Sequence, residues 1–469
     1  MARFKFPTAF TILFALIVLV AGLTWIIPAG QYDMAYNEAL DREVPVPGTY
    51  QVVEPNPQGL GAIILAPIAG LYDPDSYEAN AIDVAVFVLV IGGFIGVVAK
   101  TGAINAGITS AMTALKGREK WMIPVLMALF AAGGTTYGMA EETLAFYTIV
   151  IPVMIAAGYD SLTGVAIILI GAAMGVLGST VNAFATVIAS DAAGIPFTEG
   201  IMLRFAILLL GWLICVAYVM RYAERVRRDP STSIVADRKD ANEAHFLKDR
   251  AAVEVVAFTL KRKVILLIFA ATFGVMIWGV SAGGWWMAEM SGLFLVAAII
   301  IGVIGRLSEE EFTTTFVDGA KDLLGVALII GVARGIVVVM DAGRITDTIL
   351  FESEQAVQGL SAMAFINVMY WIEVLLSFFV PSSSGLAVLT MPIMAPLADF
   401  AGVGRDLVVT AYQSANGLVN FFNPTFAVVM GALAIGRVPY ERWLRFVLPL
   451  CLILTVLIMA TLSLGAVLT

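Results

Sequence analysis

The sequence predicts an all-α polytopic membrane protein made of two inverted-topology repeats, each with a re-entrant hairpin and a broken transmembrane helix. Three observations lead there. First, 60% of the 469 residues are hydrophobic and only 13% are charged, with a mean hydropathy of +0.92. A soluble chain would carry about a quarter charged residues, and several apolar runs here reach the ~20 residues that span a bilayer as a helix. Second, polar breaks interrupt those runs in two pairs: Gly138 to Thr143 with Gly178 to Asn182, and Val380 to Gly385 with Asn420 to Thr425. Hydrocarbon tolerates broken backbone and paired carboxylates only where protein or a water-filled cavity surrounds them. Third, the breaks recur at a shift of about 240 residues, as in Ile151-Pro152-Val153-Met154 against Met391-Pro392-Ile393-Met394. Matching interruptions in two halves point to a solute site of a secondary carrier.

Taken in order, the first span covers 8–28, and its length and flanks favour a retained helix over a cleaved leader. Segment 29–80 reads as one acid-rich loop, expected outside, with the N-terminus inside. The second span (82–99) ends at Lys100, and 103–120 reads as an internal surface segment. Arms 121–137 and 144–157 are expected to form a hairpin entered from inside, with Glu141 and Glu142 at its tip. The third span (162–193) is broken at 178–182, and the fourth covers 199–221. The stretch 221–263 is the most basic and contains the only histidine, His245. It reads as a cytoplasmic connector and topology signal. The fifth and sixth spans cover 263–281 and 285–305, with Trp285 and Trp286 at the outer interface, and the seventh covers 322–339. Asp341, Asp347, Glu352 and Glu354 suggest an external acidic turn. A second hairpin follows, with arms 360–379 and 386–400 and tip Pro381 to Ser384. The eighth span (405–434) breaks at 420–425, and the ninth (446–467) leaves the C-terminus outside. The units are therefore a first repeat (1–225), a basic linker (226–262), an inverting helix (263–283) and a second repeat (284–469).

Adjacent carboxylates at membrane depth are costly. Glu141 and Glu142 could hold a cation, relay a proton or pair with a substrate ammonium; their competing role is to start a helix, where acids suit the dipole. Neighbouring side chains on a helix point about 100° apart, and Glu142 is the one expected to face the cavity. Ser382, Ser383 and Ser384 place hydroxyls and free N–H groups at a helix start, a seat for a carboxylate. Thr180, Asn182, Asn423 and Thr425 sit where the helices unwind and are candidate ligands of a coupling Na⁺. Pro424 explains the second break. Gln413, Asn416, Asn420 and Asn423 make one polar stripe, which either binds substrate or zips helices together. Arg334, alone in an apolar helix, could neutralise a substrate carboxylate; structural pairing with an internal acid is the preferred reading. Asp191, Arg204 and Glu373 read as structural. Glycines such as Gly92, Gly134 and Gly175 are expected to allow close helix contact. Cys215 and Cys451 lie in apolar runs and read as buried hydrophobes.

The segments VIGGFIGVVAKTGAINAGI, GGTTYGMAEETLAF, VPSSSGLAVLTMPIMAPLADFAGV and NPT followed by GRVPYERWLRF resemble the YfcC-type branch of the C4-dicarboxylate anaerobic carrier-like family, in the ion transporter superfamily. The resemblance covers about 60–467. It implies an inner-membrane secondary carrier, a homodimer, with the first, second, sixth and seventh spans as scaffold. The hairpins and the third, fourth, eighth and ninth spans would move as an elevator. By position it places Glu141, Glu142, Thr143, Ser382, Ser383 and Ser384 at the substrate site, to which the residues themselves add Asn416, Asn420, Asn423 and Thr425. Dicarboxylate carriers of that superfamily often use Ser-Asn-Thr tips, whereas a Glu-Glu-Thr tip suits an ammonium group better than a dianion. The expected function is transport of a small carboxylate-bearing metabolite, an amino acid or a C4-dicarboxylate, coupled to Na⁺ or H⁺ or by exchange. No cofactor beyond such an ion and no nucleic acid is expected; lipids are. A membrane enzyme would need a nucleophile–base pair or metal ligands, and a passive channel would show no coupling.

Overall fold

A computed structural model of the chain describes residues 9–37, 42–104, 106, 107, 110, 119–247, 258–283, 285, 287–357 and 359–468. These contain nineteen α-helices and four strands of two to four residues. Most of the expected internal surface segment at 103–120 lies outside the described residues.

The chain enters through α1 (Ala9–Leu23). Two small antiparallel pairs follow: β1 (Gly30–Gln31) with β4 (Gln51–Val52), and β2 (Met34–Asn37) with β3 (Arg42–Pro45). Next come α2 (Leu60–Ala69) and α3 (Ile82–Lys100). Segment 29–80 is therefore not a plain loop. Its ten-residue apolar helix, with Pro67 inside, is half the length of a span. Hydropathy read over span-length windows passes over such a piece.

α4 (Met122–Tyr137), a 3₁₀ turn at Glu141–Thr143 and α5 (Leu144–Ala156) form the first helix–turn–helix. α6 (Ser161–Leu177), a π-helical turn (Ala183–Val187) and α7 (Ile188–Ala193) make the first broken element. α8 (Ile201–Arg228) follows, then α9 (Lys239–Phe246). α10 (Leu260–Gly283) leads to α11 (Met287–Gly305), α12 (Glu309–Asp322), α13 (Leu324–Ala342) and α14 (Thr346–Val357). The second helix–turn–helix is α15 (Ala362–Phe379) with α16 (Ser383–Ala401). α17 (Arg405–Val419) and α18 (Ala427–Gly436) flank the second break, and α19 (Tyr440–Leu468) ends the chain.

Two helices correct the sequence reading. The stretch between the sixth and seventh spans is helical, as α12, and begins with a capping box. Glu311 N–H donates to Ser308 Oγ at 3.2 Å and Ser308 N–H to Glu311 Oε2 at 3.0 Å. The expected acidic turn at 341–354 is the end of α13 plus α14. There Asp347 accepts from Tyr32 N–H and Glu354 from the Tyr32 hydroxyl, both at 3.1 Å. Acids spaced along one helix look like a loop when only their charge is counted.

Among the described residues five helices, α3, α8, α11, α15 and α19, are long and apolar enough to cross a membrane, and α12 with α13, bent by 42°, would add a sixth. The chain is a multi-pass membrane protein. Its broken elements contribute pieces individually shorter than a crossing.

The core is a pair of helices wrapped on all sides. Every residue of α6 is buried, and so is α17 from Leu407 to Val419; a helix covered all round is a core helix. They touch at backbone distance, since a Cβ on Gly417 would lie 2.2 Å from Leu177 Cα. α4 packs on α6 and α8, and α15 packs on α17 and α19. A second group crosses over between halves: α3 packs on α11 and α12, and α13 packs on α1 and α2. A Cβ on Gly92 would meet Gly319 O at 2.5 Å, so α3 and α12 meet through glycines. The two groups touch where α13 meets α18, α3 meets α5 and α10 meets α4.

Asp160, the N-cap of α6, fastens the connector to the first group. It accepts from Thr163 N–H at 2.8 Å, and at 2.6 Å from each of the hydroxyls of Thr163, Tyr222 and Ser233. The connector is tied down again by Arg442, which pairs with Asp237.

The closest approach of α4 to α6 depends on Gly175, where a Cβ would sit 2.2 Å from Ala131 O. Gly175→Val is expected to cost about 1–3 kcal/mol or more through overpacking, read as a lower melting temperature of the detergent-purified protein.

Candidate functional site

A cavity of about 320 Å³ opens where the two helix–turn–helix tips meet. Gly138, Ala140 and Glu141 line it from the first tip, and Pro381 to Ser384 from the second. Asn420, Thr425 and Phe426 come from the second break. The opposite wall belongs to the other group of helices: Ile330, Ala333 and Arg334 of α13, Met287 and Met290 of α11, and Asn80 ahead of α3. Thus the cavity lies between the two groups.

At the first tip, Gly138 turns the chain with φ +75°, a left-handed value that favours glycine. A Cβ there would also strike Asn182 Oδ1 at 2.8 Å. Glu141 opens the 3₁₀ turn and lines the cavity, half-buried. The side chain of Glu142, the residue expected to face the cavity, lies outside the described residues. Thr143 is buried; its hydroxyl donates to Ala140 O at 2.6 Å and holds the turn closed.

The second tip is a helix start. Ser382 is the N-cap of α16, its hydroxyl accepting from Gly385 N–H at 3.2 Å. Ser383 Oγ donates to Asn416 Oδ1 at 3.0 Å, and the Tyr412 hydroxyl donates to Ser383 O. Pro381 has no N–H to satisfy at this turn. The first N–H groups of α16 lack intrahelical partners, and the helix dipole puts partial positive charge there. Arg334 adds a full positive charge across the cavity. Among the described residues no carboxylate lies within salt-bridge distance of it, which does not support the expected structural pairing. Asp341, farther along α13, is the acid whose field it shares. The cavity thus has an acidic wall at Glu141 and a cationic one at Arg334 and the serine tip.

The breaks themselves frame the cavity. Asn182 Nδ2 donates to Gly134 O at 3.3 Å, while Asn182 Oδ1 accepts from Ala185 N–H at 3.2 Å. Thr180 N–H donates to Thr135 Oγ1 at 3.0 Å, and the two threonine hydroxyls lie 3.1 Å apart. In the second half, Asn423 Nδ2 donates to Phe378 O at 3.0 Å and Ser377 O at 3.4 Å, and Thr425 Oγ1 to Phe378 O at 2.7 Å. Asn423 Oδ1 accepts from Thr425 N–H at 3.1 Å. Each asparagine therefore spends its amide on the last carbonyls of the preceding arm, which have no partner inside their own helix. Thr180, Asn182 and Asn423 are not among the cavity-lining residues. Asn420 is the asparagine of the breaks that lines it; among the described residues its Oδ1 has no hydrogen-bond partner, and neither has Asn416 Nδ2.

Arg334 is the lining residue whose importance the sequence reading set aside. Its signal was visible, a single cation inside an apolar helix, but its orientation was not. Asn80 lay in a segment read as loop; its Nδ2 donates to Ala69 O at 2.6 Å, capping α2 while forming the cavity wall. No group of three or more His, Cys, Asp or Glu residues able to hold a metal occurs among the described residues.

The two asparagines of the second break should separate by assay. Asn423→Ala strips donors from Ser377 O and Phe378 O and is expected to lower stability by about 1–3 kcal/mol. Asn420→Ala leaves its hydrogen-bonded framework intact and should weaken ligand binding with little change in melting temperature. Thermal unfolding of both variants in detergent checks this.

The chain matches the family model described as DcuC, C4-dicarboxylate anaerobic carrier, over residues 6–466. An uncharacterized protein of Haemophilus influenzae is 39% identical, covering 99% of this chain and 98% of its own. The Escherichia coli K12 protein YfcC, provisionally named a basic amino acid antiporter, is 31% identical over 94% of this chain and 93% of its own. Among solved structures, Neisseria gonorrhoeae MtrF, titled as one of a class of antimetabolite efflux pumps, aligns at 17% identity with a TM-score of 0.42, covering 98% and 95% of the two chains. A match over nearly the whole length, with transporters as relatives, makes this chain a membrane transporter that belongs to the C4-dicarboxylate anaerobic carrier family.

Proposed function

We propose that the chain is a secondary active transporter of the elevator type that carries a small carboxylate-bearing amino acid across the inner membrane. The observation behind this reading is the cavity with Glu141 on one wall and Arg334 with the serine tip on another. A zwitterion satisfies both walls: its carboxylate on Arg334 and the α16 N-terminus, its ammonium on Glu141. About 320 Å³ suits a small metabolite. A C4-dicarboxylate, the substrate in the family's name, fits the cationic wall but brings its second carboxylate towards Glu141, a like charge.

In this reading the halves are inverted repeats and the two helix–turn–helices are re-entrant hairpins, entered from opposite faces. Support comes from the matched packing of α4 on α6 and α8 and of α15 on α17 and α19. The group α1, α2, α3, α10, α11, α12 and α13 serves as scaffold of a homodimer, and the hairpins with α6, α7, α8, α17, α18 and α19 carry the site. The basic stretch 221–263 favours a cytoplasmic connector and N-terminus, with the C-terminus outside. Thr180, Asn182 and Asn423 act as the frame, and Thr425 both braces Phe378 and lines the site. Coupling is to a cation or by exchange.

Thermal stabilisation by a panel of amino acids and dicarboxylates, with and without Na⁺, would identify the ligand, since a ligand of the folded state raises stability by mass action. In proteoliposomes loaded with the ligand found, Glu141→Gln and Arg334→Ala are each expected to slow counterflow by about 10-fold or more, roughly 1.4 kcal/mol. Wild-type rates in both variants would remove the site assignment. Stabilisation by succinate alone, and only with Na⁺, would replace the amino acid with a dicarboxylate.

A further inference from the structure

Outside the cavity, one buried acid has no task in the account above. Glu373 sits in the middle of α15, a helix apolar enough to cross a membrane. It is 0% exposed, and among the described residues neither carboxyl oxygen makes a well-formed hydrogen bond, although the Thr390 hydroxyl lies close to it. Tyr370 and Ser377 flank it at helical spacing on the same face; both are buried, and among the described residues neither hydroxyl makes a well-formed hydrogen bond, although Thr455 lies close to Tyr370. Of the helices packed on α15, α16 brings Thr390 and α17 brings Tyr412 to Glu373. α19 brings Cys451 and Thr455 to the neighbouring Tyr370, and α14 brings no interacting charge. Among the described residues no cation pairs with Glu373.

A bare carboxylate in such surroundings is severely destabilising, so its charge must be neutralised. The Thr390 and Tyr412 hydroxyls donate to Leu386 O at 3.0 Å and to Ser383 O, so their protons are spent elsewhere and their oxygens can accept from a protonated carboxyl. A single proton neutralises the charge and needs no further ligands. An ionisable group buried at membrane depth, with neither pairing nor capping to explain it, points to a transport pathway. Tyr412 also joins the acid to the site, because its hydroxyl holds the backbone of the serine tip that lines the cavity.

We propose that Glu373 is a proton-binding site of the transport cycle, loaded as the neutral acid when the site is closed and released to water as a carboxylate plus a proton when it opens. The proposal rests on the transporter reading and specifies its coupling ion.

Two measurements on the full-length protein test it. In the infrared spectrum of the purified protein, wild type should show a deuterium-sensitive carbonyl stretch of a protonated carboxyl. Glu373→Gln should lose that band, and Glu373→Asp should keep it, while both elute as folded protein. In proteoliposomes holding a trapped pH dye, L-arginine, L-serine and succinate are added in turn. Whichever solute moves in wild type should drive proton movement that falls at least about tenfold in Glu373→Gln, with counterflow of labelled solute retained. An unchanged band or unchanged proton movement in Glu373→Gln overturns the proposal, as does a carboxylate band in wild type that responds to Na⁺. If the band is present but none of the three solutes shows counterflow in wild type, it is the transport reading that fails and not the proton site.

Discussion

The carbonyls at the ends of α4 and α15 set the terms for the rest of this molecule. A helix that stops inside a water-poor interior leaves four C=O groups without intrahelical partners, and each one left bare is costly. Here the donors come from neighbouring elements that are themselves interrupted. Asn182 reaches Gly134 O, and Asn423 with Thr425 reaches Phe378 O. The broken elements cannot be straightened without stripping those carbonyls, and the tips cannot shift without losing their anchors. A turn of Gly138 to Thr143 and a helix start at Ser383 are thereby held against each other, and a polar cavity stands in an otherwise apolar protein.

The same logic knits the halves at their centre. At the end of α6, Leu177 O and Ser179 O receive Ser414 Oγ at 3.2 Å and Gln413 Nε2 at 2.8 Å, both from α17. Gln413 Oε1 accepts from Thr186, which in turn lies 2.6 Å from Ser179 Oγ. In the second break, Trp443 Nε1 and the Tyr440 hydroxyl of α19 donate to Phe421 O and Phe422 O. The polar stripe that runs along α17 and into the break after it therefore divides its labour. Gln413 repairs the first break, Asn416 positions Ser383, Asn420 faces the cavity, and Asn423 repairs the second arm.

Much of this was legible in the sequence because it rests on contrast along the chain. The spans, the two tips and the two breaks show as polar residues within apolar runs, and Pro424 marks the second break outright. What escaped was short, amphipathic or long-range. α2 is too short for a span, and α12 announces itself only through its Ser308–Glu311 box. That Arg334 faces the tips depends on how α13 sits against α1 and α2, which no local pattern encodes. The use of Asn182 and Asn423 as backbone donors depends on partners about 45 residues away, so an asparagine at an unwound helix reads as a ligand until the neighbouring arm is placed.

The crossed packing of α3 and α13 bears on how the chain is made. α3 finds its glycine contact only on α12, through Gly92 and Gly319. A ribosome adding about 5–20 residues per second reaches α12 on the order of ten seconds or more after α3 has left it. Throughout that interval the face of α3 that carries Gly92 waits in the membrane beside lipid or an insertion factor. Biogenesis of this protein is therefore a problem of timing: α3 reaches its final packing only after the second repeat has been synthesised as far as α12, and premature termination before α12 leaves an unfinished bundle for quality-control proteases.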